Sequence, residues 1–201
     1  MGLCVALKNF GFINDDKSGV VRIIMERKYY SGGEGKPPIW IQPIIESGRM
    51  YDQDFFRFTD MLDWDKQGDD EAVVEPLIAF LAKWGDNVIF AFHDKMAELL
   101  FSLDTYNIAK HLIENETYFS PDYFLYARCV ALVNGKPYYN AILKGRKKLA
   151  ANMDFETILY VPQKAWKRIH NKNGDEYLYE TKVDYETYSN KAGWKNSSVK
   201  E

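Results

Sequence analysis

Two spacings of apolar residues divide the chain. Over residues 3–46, short apolar or β-branched runs (Leu3–Leu7, Val20–Met25, Ile39–Ile45) alternate with the turn-forming stretches NDDKSG and SGGEGKPP. That pattern predicts two or three strands. Pro43 inside the third run cannot donate to a ladder, so this strand is expected at an edge or bent.

From Gln53 the spacing becomes helical. Phe55, Phe58, Thr59 and Leu62 share one face and predict a helix over roughly residues 53–63. A second helix carries Val73, Val74, Leu77, Ile78, Leu81 and Trp84 and stops near Gly85, with the acids Asp69, Asp70 and Glu71 suited to its N-terminus. Pro76 lies within it and would sit most comfortably just inside a later start. Ile89, Phe92, Met96, Leu99, Leu100 and Leu103 define the clearest helix, with Asp94, Lys95, Glu98 and Ser102 on its polar side. Asp104 or Thr105 can cap the next one, through Ile113. Ser120-Pro121 is a cap followed by a first-turn proline, and the YFLYARCVALV that follows is apolar almost all round, as a central helix is. Asn134-Gly135 ends it. Pro137 opens a further helix through Leu143, and residues 155–169 predict a last one, interrupted at Pro162. Beyond Gly174, alternation in EYLYETKVDY suggests a strand.

The fold expected is mostly α within an α+β frame: a multi-helix domain with a small β element from the N-terminal strands, the C-terminal tail being a further candidate. Three parts follow: a β-rich segment (1–50) packed on the main domain, a helical domain (51–172) and a tyrosine-rich tail (173–201).

Charge changes this picture more than composition does. With 46% hydrophobic residues in 201, a packed core is assured, and a net charge of −3 argues against non-specific nucleic-acid binding. The balance is uneven along the chain. Asp52–Glu75 holds nine acids against two bases, and Lys144–Lys172 holds eight bases against two acids. These are solvated faces of one domain, or else the acidic segment is a contact surface for a basic partner. No apolar run is long enough to span a membrane, and no signal peptide is evident, so a cytoplasmic protein is expected.

Complete chemical motifs are missing. SGGEGKPP lacks the phosphate-loop pattern because Lys36 is followed by Pro37. A calcium loop counted from Asp63 puts Gly68 sixth but Val74 twelfth, where a bidentate Glu is required. Cys4 and Cys129 lack metal-ligand spacing, and Cys129 reads as a small buried hydrophobe. His93 lies at the margin of an apolar stripe, where a hydrogen-bonded boundary histidine is the simplest reading. Arg128 stands among apolar residues and needs a partner, for which Asp94, Asp104 and Asp63 are candidates. No catalytic residue, metal ligand or cofactor is assigned.

The segments LDWDKQGDDEAVVEPLIAFLAKW, IFAFHDKMAELLFSLDT, YFSPDYFLYARCVALVNG and FETILYVPQKAW, in that order over about residues 54–168, resemble the bacterial domain family of unknown function DUF4240. The resemblance implies a helical domain of bacterial origin and brings no reaction, cofactor or site residues. The function expected is therefore a non-enzymatic binding module. It would present Asp60, Asp63, Asp65, Asp69, Asp70 and Glu71 to a basic protein partner, as immunity proteins do toward nuclease-like toxins. Two other expectations compete with it. One is an enzyme or small-ligand sensor with a polar cleft around His93 and Arg128. The other is oligomeric scaffolding through exposed aromatics.

Overall fold

The computed structural model describes residues 36–115 and 119–195. Nine α-helices account for most of them: α1 (Gln42–Ser47), α2 (Asp52–Thr59), α3 (Asp70–Trp84), α4 (Asp86–Leu103), α5 (Tyr106–Asn115), α6 (Pro121–Val133), α7 (Lys136–Leu143), α8 (Val161–His170) and α9 (Lys191–Trp194). Short 3-10 turns at Trp64–Lys66, Glu156–Tyr160 and Gly174–Glu176 join them.

The hub is α4. Residues on every side of it are buried, from Val88 and Ile89 to Leu100 and Leu103. It packs against α1, α2, α3, α6, α7 and α8. An apolar stripe wrapping most of a helix demands such enclosure. Phe92 lies at the middle of the core, with Phe55 stacked on it at 4.9 Å between centroids and Phe58 edge-on at 5.7 Å. Tyr139 of α7 ties in by donating its hydroxyl to the Leu99 carbonyl at 2.9 Å.

Local chemistry accounts for the helix limits. Asp69 accepts a hydrogen bond from the Ala72 amide and starts α3, which then runs through Pro76 without a restart. Gly85, at φ +84°, lets the chain reverse from α3 into α4. Ser120 accepts from the Tyr123 amide and Pro121 takes the first turn of α6, as its sequence predicts. The interrupted last helix resolves into the 3-10 turn at Glu156–Tyr160 followed by α8, with Pro162 at the start of α8 rather than within it.

Two strand expectations are corrected. Residues 39–45 enter a turn and then α1, because Pro43 occupies the first helical turn, where its missing N–H costs nothing. Residues 177–186 form no strand either; they are irregular chain with bends at residues 182, 183 and 186. The small β element is thus absent from the described residues, while the strands expected before Lys36 lie outside them. The fold is mostly α.

Candidate functional site

The acidic segment forms a shoulder at the end of α2, around the 3-10 turn and over the first turn of α3. Asp60, Asp65, Asp69 and Glu71 are exposed, and Asp63 and Asp70 half-buried. Burial raises the Asp70 carboxyl above its ordinary range, and the neighbouring charges of Asp154, Glu71 and Asp69 push it the same way. Asp154, from the segment before α8, therefore belongs to this surface although the sequence spacing gave no hint of it.

The basic segment partly answers the acidic one within the molecule. α8 packs along α3, and Lys164 pairs with Glu71, while Arg168 grips Glu75 through two 2.8 Å hydrogen bonds. That fork lowers the Glu75 carboxyl pKa. His170 meets Asp86 at 2.9 Å. Glu71 is accordingly part of an internal charge pair as well as of the shoulder. Asp63 and Asp70 form no ion pair among the described residues.

His93 and Arg128 take part in a different structure, a buried polar seam closed by the strap of residues 177–195. Three carboxylate or cationic anchors on the helical body receive it. Asp94, 5% exposed although its position predicts the polar side of α4, accepts the Lys182 amide at 3.1 Å and its ammonium at 2.5 Å. Asp104 is fully buried. One of its oxygens accepts the Tyr188 amide (3.2 Å) and the Trp194 indole N–H (2.8 Å); the other accepts the Asn190 amide (2.9 Å) and the Ser189 hydroxyl (3.3 Å). Arg128, also fully buried, donates to the Leu100 carbonyl and to the Thr187 hydroxyl, both at 3.0 Å, and the Thr187 hydroxyl in turn donates a hydrogen bond to the Pro121 carbonyl.

Arg128 thus finds a carbonyl and a hydroxyl, with Asp104 supplying the largest stabilising charge without direct contact. Desolvation lowers its pKa and Asp104 opposes that shift. The Phe124 ring lies 4.8 Å from its guanidinium carbon. His93 is the hydrogen-bonded boundary histidine its position predicts: Nδ1 lies 3.0 Å from the Tyr177 hydroxyl. Burial pushes its pKa down to about 4, so the ring is neutral at pH 7. The Cys129 thiol is fully buried and its pKa is raised by desolvation, which makes it a packing residue rather than a nucleophile.

Among the described residues no group of three or more His, Cys, Asp or Glu side chains is placed to hold a metal ion. No helix there is long and apolar enough to cross a membrane.

Comparison with curated proteins and with solved structures finds no match. A match does come from the family described as a protein of unknown function (DUF4240), and it spans residues 50–168, from two residues before α2 to the last turn of α8. The matched region contains the acidic shoulder and the anchors Asp94, Asp104 and Arg128, whereas the strap that engages those anchors lies beyond it. Since the match covers well over half of the chain and its helical core, the protein belongs to the DUF4240 family.

Proposed function

We propose that the protein is a non-catalytic binding module whose acidic shoulder receives a basic protein partner, in the manner of an immunity protein facing a cationic nuclease-like toxin. The observation that carries this reading is the crowding around Asp70. Burial, and after it the charges of Asp154, Glu71 and Asp69, hold its carboxyl at a raised pKa, while the cations of α8 engage Glu71 and Glu75 further along α3. Like charges kept together on a surface cost stability, and a cationic partner would recover that cost on binding. The competing reading, a ligand cleft around His93 and Arg128, has less support. A ligand carboxylate would have to displace the Thr187 hydroxyl and with it the strap.

The test is gel filtration and nuclease inhibition with a panel of basic nuclease domains, any encoded in a neighbouring gene included. The wild type is compared with a variant carrying Asp60→Lys, Asp63→Lys, Asp65→Lys and Asp69→Asn, the last chosen because asparagine preserves the cap of α3. The wild type is expected to co-elute and inhibit, and the variant to lose both while still unfolding in one cooperative transition. Equal affinity of the two proteins for a binding nuclease would remove the shoulder from the interface.

A further inference from the structure

Asparagine precedes glycine twice in the chain, at Asn134-Gly135 and at Asn173-Gly174. This pair is chemically self-reactive. The backbone nitrogen of the second residue can add to the asparagine Cγ, and glycine has no Cβ to obstruct the five-membered ring that closes. Ring closure requires that nitrogen to swing over the side chain and give up its proton. The fold places the two pairs in opposite circumstances.

Asn134 is held in an unreactive arrangement. It ends α6 at φ −89° and ψ 8°, which turns the next nitrogen away from its Cβ. Its Nδ2 donates to the Val130 carbonyl at 2.8 Å, and its own amide donates to the same carbonyl at 3.2 Å. The Gly135 amide, the nucleophile that the reaction needs, is spent on the Leu132 carbonyl at 3.3 Å. Closing the ring here would undo the end of a buried helix. Asn173 lies instead at an exposed junction, three residues past the end of α8, where water can reach it. Its amide donates to Glu176 Oε1 at 3.2 Å, and Glu176 Oε2 pairs with exposed Lys172 at 3.3 Å.

We propose that Asn173 is a self-modification site, converting to aspartate and isoaspartate through a cyclic imide, while Asn134 is protected by the fold. The Gly174 nitrogen loses its proton to solvent base and bonds to Asn173 Cγ. The Cγ–Nδ2 bond breaks, and Nδ2 takes up a proton and leaves as ammonia. Water then adds to one of the two imide carbonyls. Opening on one side gives aspartate on the original backbone. Opening on the other gives isoaspartate, whose backbone runs through Cβ and is longer by a methylene. One water enters and one ammonia leaves, with no change of oxidation state. Either product sets a new carboxylate beside Glu176. The change falls where α8 hands over to the strap, ahead of the Tyr177–His93 and Lys182–Asp94 contacts.

The experiment is incubation of the full chain in mildly alkaline buffer, followed by peptide mapping with mass spectrometry. Isoaspartate is scored separately by enzymatic carboxyl methylation. Both products are expected to accumulate at Asn173, faster as pH rises, while Asn134 remains an amide. In denaturant the two asparagines should react at similar rates, because the hydrogen bonds that protect Asn134 are gone. Gly174→Ala, whose Cβ obstructs the ring, should slow the reaction at Asn173 by about tenfold or more. The proposal is overturned if Asn173 stays intact in the native chain, if Asn134 reacts as fast there, or if Gly174→Ala changes nothing. An Asn134 that stays intact in denaturant as well would overturn the protective role of the fold.

Discussion

Asp104→Asn isolates what holds the strap to the helical body. The substitution is isosteric, and a buried asparagine keeps one acceptor oxygen while turning the other into a donor. Whichever way it is oriented, one pair of donors, Tyr188 N with Trp194 Nε1 or Asn190 N with Ser189 Oγ, then faces an amide NH₂. Hydrogen bonds to a charged acceptor contribute about 1.5–3 kcal/mol each, so losing two puts the cost at about 3–6 kcal/mol. The removed charge adds to this, since Asp104 is the main electrostatic support of the buried Arg128. Release of the strap limits the total, because freed donors can turn to water. The loss should therefore appear first as local opening. Native-state hydrogen exchange measures it directly. Protection of the Tyr188 and Asn190 amides and of the Trp194 indole is expected to fall by about a hundredfold or more, while the amides at the centre of α4 keep most of theirs. If protection at Tyr188 and Asn190 changed by less than about threefold, which is under 1 kcal/mol, the carboxylate would not be the anchor described here.

Three further outcomes follow from the same seam. His93 is held neutral with a pKa near 4 against an ordinary value of 6.5, so the unfolded state takes up a proton first as pH falls. Its stabilisation is complete above pH 6.5 and is lost progressively down to about pH 4, about 3 kcal/mol in all. His93→Gln should flatten the denaturant midpoint over that window by comparison with the wild type, and parallel curves would disprove the assignment. Arg128→Met removes the buried guanidinium but leaves Asp104 without its compensating charge. It is expected to destabilise by about 2–4 kcal/mol in chemical unfolding, and a variant as stable as the wild type would show the arginine to be dispensable. Gly193→Ala would place a Cβ 2.7 Å from Thr105 Cγ2 and 2.9 Å from the Asp104 carbonyl. About 1–3 kcal/mol of overpacking should loosen α9, seen as a shifted and broadened Trp194 indole resonance; an unchanged resonance would mean the contact yields freely.

The helical body was readable wherever one residue carried a single local message. Ser120-Pro121 specifies a cap and a first turn, and the Ile89–Leu103 spacing specifies a helix enclosed on several sides; both take those roles. Pro43 carried two messages, a broken strand or the first turn of a helix, and only its neighbours in space decide between them. The strap misled for a related reason. Alternation in EYLYETKVDY reports an extended chain with one side inward, but it does not say where the backbone donors go. Here Lys182, Tyr188 and Asn190 send their amides to side-chain carboxylates rather than to a neighbouring strand. Asp94 and Asp104 could be named from the sequence as acids near Arg128. That they collect a segment some ninety residues later is long-range information, which no local pattern contains. The pairing of α8 with α3 has the same character. Two charge blocks that look opposed along the sequence meet through Lys164–Glu71 and Arg168–Glu75.

The order in which a ribosome makes this chain gives the seam a temporal meaning. The helices that supply Asp94, Asp104 and Arg128 are synthesised before residues 182–194, which close over them. Until those residues emerge, a growing domain with its core already collapsed carries two carboxylates and a guanidinium in an open groove. A chain interrupted in that interval would have folded helices and a hydrated, loosely ordered flank, a form that proteases can distinguish from the closed one. The strap thus divides the growing chain into two stages, one with the groove open and one with it closed.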